Sequence, residues 1–119
     1  MIANTPDPPY YAVIFSALRT DENEGYAEMA DLMMELASRQ EGFFGVESAR
    51  NHLGITVSYW KDLESINKWK QHSDHIIAQK KGRTDWYKIY KTRIAKVERD
   101  YEFEKTNSEP TTLSRDNTG

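Results

Sequence analysis

Two of the three histidines, His72 and His75, stand three residues apart just beyond Trp69. On one continuous helix, positions i and i+3 share a face. Such a pair has the spacing of two metal ligands, or of a base with an orienting partner. The intervening Ser73-Asp74 is also an N-cap pattern, which predicts a break between the two rings. The plainer reading is one capping or solvated imidazole and one half-buried one. The sharper reading is a proton acceptor in a pocket, and no metal is expected. Arg50 and Arg83 have the chemistry to meet an anionic ligand group. Trp69, Tyr59, Trp86 and Tyr90 offer aromatic surface for a pocket wall. Against that, Trp69 with Leu63 and Ile66 reads first as core, and Trp86-Tyr87 with Tyr90 first as an interface belt.

Composition narrows the chemistry. With 119 residues the chain has the size of one domain, and aromatic residues form 12% of it, more than a small core requires. Net charge is −3, with acids and bases interspersed, which argues against nucleic acid as a partner. There is no cysteine, so disulfides and thiolate catalysis are excluded. No apolar run approaches the ~20 residues of a membrane span. Residues 1–9 show neither a basic nor an apolar targeting region, so a cytoplasmic protein with no membrane partner is the expectation.

These side chains must be placed by a small set of elements. A proline-rich flexible lead, 1–9, precedes a strand from Tyr10 to Thr20 that is apolar on both faces. Tyr26 to Gln40 carries an apolar stripe (Tyr26, Met29, Met33, Leu36) at helical spacing, and Gly42 follows as a stop. Phe43 to Arg50 and Ile55 to Trp60 read as a hairpin joined through Asn51 to Gly54. The alternation Ile55, Val57, Tyr59 gives way at Asp62 to Leu63, Ile66 and Trp69, a change from strand period to helix period. A further helical segment from Ser73 to Lys81, stopped by Gly82, and a last strand from Trp86 to Phe103 complete the domain at 10–103. The alternation in that strand slips between Ile89 and Ile94, which predicts a bulge. Residues 104–119 are polar and aperiodic, and predict a disordered tail.

Strand, helix, strand, strand, helix, strand is the ferredoxin-like βαββαβ order. It predicts an α+β fold, with a four-stranded antiparallel sheet and both helices on one face. The bare face, rich in aromatics, calls for a second copy of the chain. Glu47 is expected to be buried there, with Arg50 or Arg93 as counter-ion.

With Gly42-Phe43-Phe44-Gly45-Val46-Glu47-Ser48, then Val57-Ser58-Tyr59-Trp60-Lys61-Asp62-Leu63-Glu64-Ser65-Ile66, then Trp69 to His75, the sequence resembles the antibiotic biosynthesis monooxygenase superfamily over about residues 10–101. The resemblance implies a homodimeric α+β barrel closed through the open sheet faces, with a pocket between helices and sheet in each copy. It further implies a cofactor-independent monooxygenase that brings dioxygen to a small aromatic or quinol-like molecule. His72 or His75 would be the catalytic base, and Trp69, Tyr59, Arg50, Trp86 and Tyr90 would surround the substrate. Heme-degrading members carry an Asn on the first strand and a His ten residues after a tryptophan. Here the first strand has no Asn, and Gln79 stands ten residues after Trp69. Members that oxidise polyketide-type phenols carry an Asn and a Tyr where Thr56 and Ile66 stand. The alternative is a non-catalytic, ligand-binding or stress-related protein; heme binding is a third.

Overall fold

The computed structural model describes residues 1–80, 85–106 and 109–114. The elements are β1 (Tyr10–Arg19), α1 (Tyr26–Ser38), β2 (Phe43–Arg50), β3 (Gly54–Trp60), α2 (Leu63–Lys80), β4 (Tyr87–Val97), β5 (Tyr101–Thr106) and β6 (Glu109–Ser114). The first four strands in the sheet run in the order β2-β3-β1-β4, all antiparallel, which is the ferredoxin-like arrangement. Both helices pack on one face. There Trp60 is fully buried, in contact with Phe43 of β2 and Trp69 of α2.

Helix α2 runs unbroken through Ser73-Asp74, so the expected break does not occur. Asp62 caps it, accepting the Ser65 N–H at 2.8 Å, and this hydrogen bond draws the Asp62 carboxyl below its ordinary pKa. Ser73 faces inward with Ile66 and Ile76, and its hydroxyl donates back to the Lys70 carbonyl at 3.1 Å. Asp74 pairs with Lys70 one turn earlier. A residue on the buried stripe gains more from packing than from opening a new helix end. Leu63, expected inside, is 49% exposed because it begins the helix rather than lying within its packed turns. Gly82 and Arg83 lie outside the described residues.

Two irregularities decide which side chains face which way. The β2–β3 register shifts between Phe43 and Gly45, so Phe43 and Val46 share the helix side while Phe44 turns away. The alternation expected for β2 put Phe44 with Val46, and the bulge reverses that. The β1–β4 register shifts at Leu18/Arg19, opposite Tyr87 and Ile89. The bulge therefore falls at Lys88, before Ile89 rather than after it. The last strand also stops earlier than expected, at Val97, and β5 pairs with β6 as a separate hairpin over part of the expected tail. Residues 107, 108 and 115–119 lie outside the described set.

The opposite face of the sheet carries Ile14, Leu18, Ile55, Val57 and Ile89 without a helix over it. Its other end holds Tyr10, Phe44 and Tyr59 in edge-on contact. The lead, expected to be flexible, reaches this end: the Ala3 N–H donates to Glu47 Oε2 at 2.9 Å. Tyr59 donates to Glu47 Oε1 at 2.6 Å. Within one chain Glu47 is thus satisfied by a phenol and a backbone amide.

Candidate functional site

Strand register builds a trough on the helix-covered side, at the end of the sheet where α1 begins. Arg50, Gly54, Ala17 and Tyr90 fall in one cross-strand row, and Ser48, Thr56, Phe15 and Thr92 in the next. Gly54 and Ala17 are the floor of the trough, and both are buried beneath the taller side chains around them. The Arg50 guanidinium lies across that floor: a Cβ at Gly54 would overlap its Nη2 and sit 2.6 Å from its Cζ. Ser48 Oγ and Thr56 Oγ1 are 3.2 Å apart.

The far wall is aromatic. Phe15 packs against Tyr87 at 5.7 Å and Tyr90 at 5.3 Å between ring centroids, and Tyr87 reaches Tyr26 of α1 at 6.1 Å. Burial, followed by the hydrogen bond with Tyr26, holds the Tyr87 phenol well above its ordinary pKa, against the opposing pull of Arg19 and Arg50. Tyr87 is therefore a neutral hydrogen-bonding group at any ordinary pH. Arg19 ends β1 with its guanidinium 3.3 Å over the Tyr26 ring. Its Nη2 donates to the Glu22 carbonyl at 2.8 Å and to Asn23 Oδ1 at 3.2 Å. Its Nε is buried with no hydrogen-bond partner.

Tyr26 also meets Trp86 edge-on at 5.8 Å, so it forms a partition. Beyond it is a hollow of about 330 Å³ lined by Glu24, Gly25, Glu28, Met29, Leu32 and Trp86. Trp86 is buried and fixed by donating from Nε1 to the Glu24 carbonyl at 2.9 Å.

The side chains singled out from sequence separate into three places. Arg50 and Tyr90 border the trough, and Trp86 borders the adjoining hollow. Trp69 is stacked on Trp60, its ring 6.2 Å away, at the α2 side of the sheet, with His72 5.8 Å beyond it. His72 and His75 are both exposed. Tyr59 lies on the helix-free face, where burial and then the Glu47 carboxylate raise its pKa. Among the described residues no cluster of His, Asp or Glu is arranged to hold a metal. Sequence reading missed Arg19, Tyr26, Tyr87, Phe15 and the Gly54–Ala17 floor. Only Tyr87 left a signal, as the middle of an aromatic run.

The fold is that of the antibiotic biosynthesis monooxygenase type. PA3566 from Pseudomonas aeruginosa superposes with a TM-score of 0.60 at 13% identity, over 79% of this chain and 97% of that one. A candidate antibiotic biosynthesis monooxygenase from Nitrosomonas europaea superposes with a TM-score of 0.58 at 15% identity, over 77% and 92%. No family model matches the chain. At the level of sequence it belongs to the family of the uncharacterized protein YqjZ of Bacillus subtilis. The two are 46% identical over 110 residues, 91% of this chain and 96% of that protein. Among the described residues no helix is long and apolar enough to cross a membrane.

Proposed function

We propose that the chain binds a small electron-rich aromatic molecule, of the phenol or quinol kind, between helices and sheet and oxidises it with dioxygen, as a cytoplasmic enzyme without metal or flavin. The observation that carries this reading is the trough: two guanidiniums, the neutral Tyr87 hydroxyl and an aromatic wall around a floor of small residues. A guanidinium beside a phenol favours the phenolate. The phenolate ring is electron-rich enough to reduce dioxygen. The reaction balances without an outside donor: a 1,4-quinol and dioxygen give a hydroxyquinone and one water. In this reading Arg19 and Arg50 promote ionisation, Phe15, Tyr87 and Tyr90 orient the ring, and solvent takes the proton. Oxygen uptake with a panel of quinols is the test. Turnover abolished by His72→Ala or His75→Ala, but not by Arg50→Gln, would move proton removal to α2. A panel that gives no uptake and no binding ends the reading.

Binding without turnover is the second reading. It is favoured by the solvent exposure of both histidines and by the protonated state of Tyr87, which leave no general base in the trough among the described residues. Saturable quinol binding with no oxygen consumption would select it.

A second copy of the chain is proposed to cover the helix-free face, as the fold type implies. Ile55 and Ile89 lie on that face 38% and 62% exposed, with Val57 and Ile14 between them. Ile55→Glu with Ile89→Glu is expected to convert a dimer to a monomer in sedimentation while leaving the far-UV spectrum unchanged, because neither residue is in the core. A wild-type chain that sediments as a monomer at micromolar concentration would refute the assembly.

A further inference from the structure

We propose that the trough selects an aromatic acid: a planar ring lying over Gly54 and Ala17, with its carboxylate on the guanidiniums of Arg19 and Arg50. This deepens the reading above and rests on it.

Guanidinium groups engage carboxylates in planar, bidentate fashion, and do so best where no protein carboxylate competes. Ion pairs such as Arg39–Glu35, Lys68–Glu64 and Lys70–Asp74 use other cations, and among the described residues no protein carboxylate is paired with either trough arginine. Glu22 is the acid nearest Arg19 in sequence with a bond to it, and it offers only its backbone carbonyl. Its side chain instead accepts the Glu24 N–H at 2.8 Å. The buried Arg19 Nε still lacks an acceptor, an uncommon state for a buried polar atom. The groups around it reinforce the sign. Tyr26 and Tyr87 are phenols, and Ser48 and Thr56 carry hydroxyls, so the trough is rich in donors and contains no described carboxylate.

The shape argues for a ring on the acid. A bare inorganic anion would use the guanidiniums and leave Phe15, Tyr87 and Tyr90 facing solvent. A planar ring that took the place of the Arg50 guanidinium over Gly54 would cover them. Arg50 is exposed and its guanidinium occupies the space over Gly54, so in this proposal the ring enters by displacing it outward, where it meets the carboxylate.

The test is calorimetric titration of the full chain with 2,5-dihydroxybenzoate, with its uncharged amide, with hydroquinone and with inorganic phosphate. The acid is expected to bind about tenfold more tightly than the amide, a preference that shrinks as salt is added. Arg50→Gln is expected to remove that preference without changing the melting temperature, and Arg50→Lys to restore only part of it. Equal binding of acid and amide overturns the inference while leaving the quinol reading intact. Phosphate competing as well as the acid overturns the aromatic class. If none of the four binds, the quinol reading falls with it.

Discussion

Replacing Trp60 by alanine is expected to remove about 3–5 kcal/mol of folding stability, enough to leave little folded chain at 37 °C. Trp60 is wholly excluded from solvent at the C-terminal end of β3. Phe43 meets its ring edge-on at 5.3 Å, and Trp69 stacks on it at 6.2 Å with an interplanar angle of 24°. Its Nε1 donates to Ser58 Oγ at 2.8 Å on the same strand, so its polar atom is satisfied. One side chain therefore joins β2, β3 and α2, and truncation leaves a cavity that three elements must collapse to fill. Trp60→Phe retains most of the ring area and is expected to lose only about 1–2 kcal/mol. Chemical denaturation monitored by circular dichroism measures both. Comparable losses in the two variants would show that the hydrogen bond to Ser58, rather than the packed volume, carries the stability.

The same tryptophan explains how far sequence reading reaches. A strand period ending in Trp60 and a helix period beginning after Asp62 can be read residue by residue, because each is a local property of the chain. The ferredoxin-like order follows once every strand and helix is found. Ser73-Asp74 shows the limit. The dipeptide carries a capping signal, but Ser73 lies on the stripe that includes Ile66 and Ile76, and burial of that stripe outweighs the local preference. Phe43-Phe44 shows another. Strict alternation assigns each ring to a face, and a single bulge exchanges them, because a slip of one residue inverts every side chain on one side of it.

The trough is less legible than the fold for a related reason. Arg50, Gly54, Ala17 and Tyr90 come from four strands and become neighbours only through the register of three pairings. Nothing in their local sequence marks them, and an alanine and a glycine are uninformative until a floor is seen to need them. Local spacing instead favours His72 and His75, which are close in sequence and exposed on the fold. Arg50 and Tyr90 were visible because their residue types suggest a ligand on their own. Arg19, at the end of a strand, reads as an ordinary surface cation.

Gly42→Ala is the second large effect, expected at about 2–4 kcal/mol from two additive sources. Gly42 has φ +87, a left-handed conformation in which an L side chain is strained by roughly 1–2 kcal/mol. A Cβ there would also overlap Ser65 Oγ and stand 2.8 Å from Ser65 Cβ. This glycine works at the seam between the two layers. Its carbonyl accepts the Lys61 N–H at 2.7 Å, closing the β2–β3 end, and its bare Cα admits the first turn of α2, where Asp62 caps the Ser65 amide. A methyl group pushes that turn outward and weakens the cap as it does so. Ser65→Ala lightens the clash, since it removes the oxygen and leaves the Cβ contact and the backbone strain. Gly42→Ala should therefore cost less in a Ser65→Ala background than in the wild type, a coupling that a double-mutant cycle reads directly. If the cost is the same in both backgrounds, the Ser65 hydroxyl contributes nothing, and left-handed strain with the Cβ contact explains why glycine stands there.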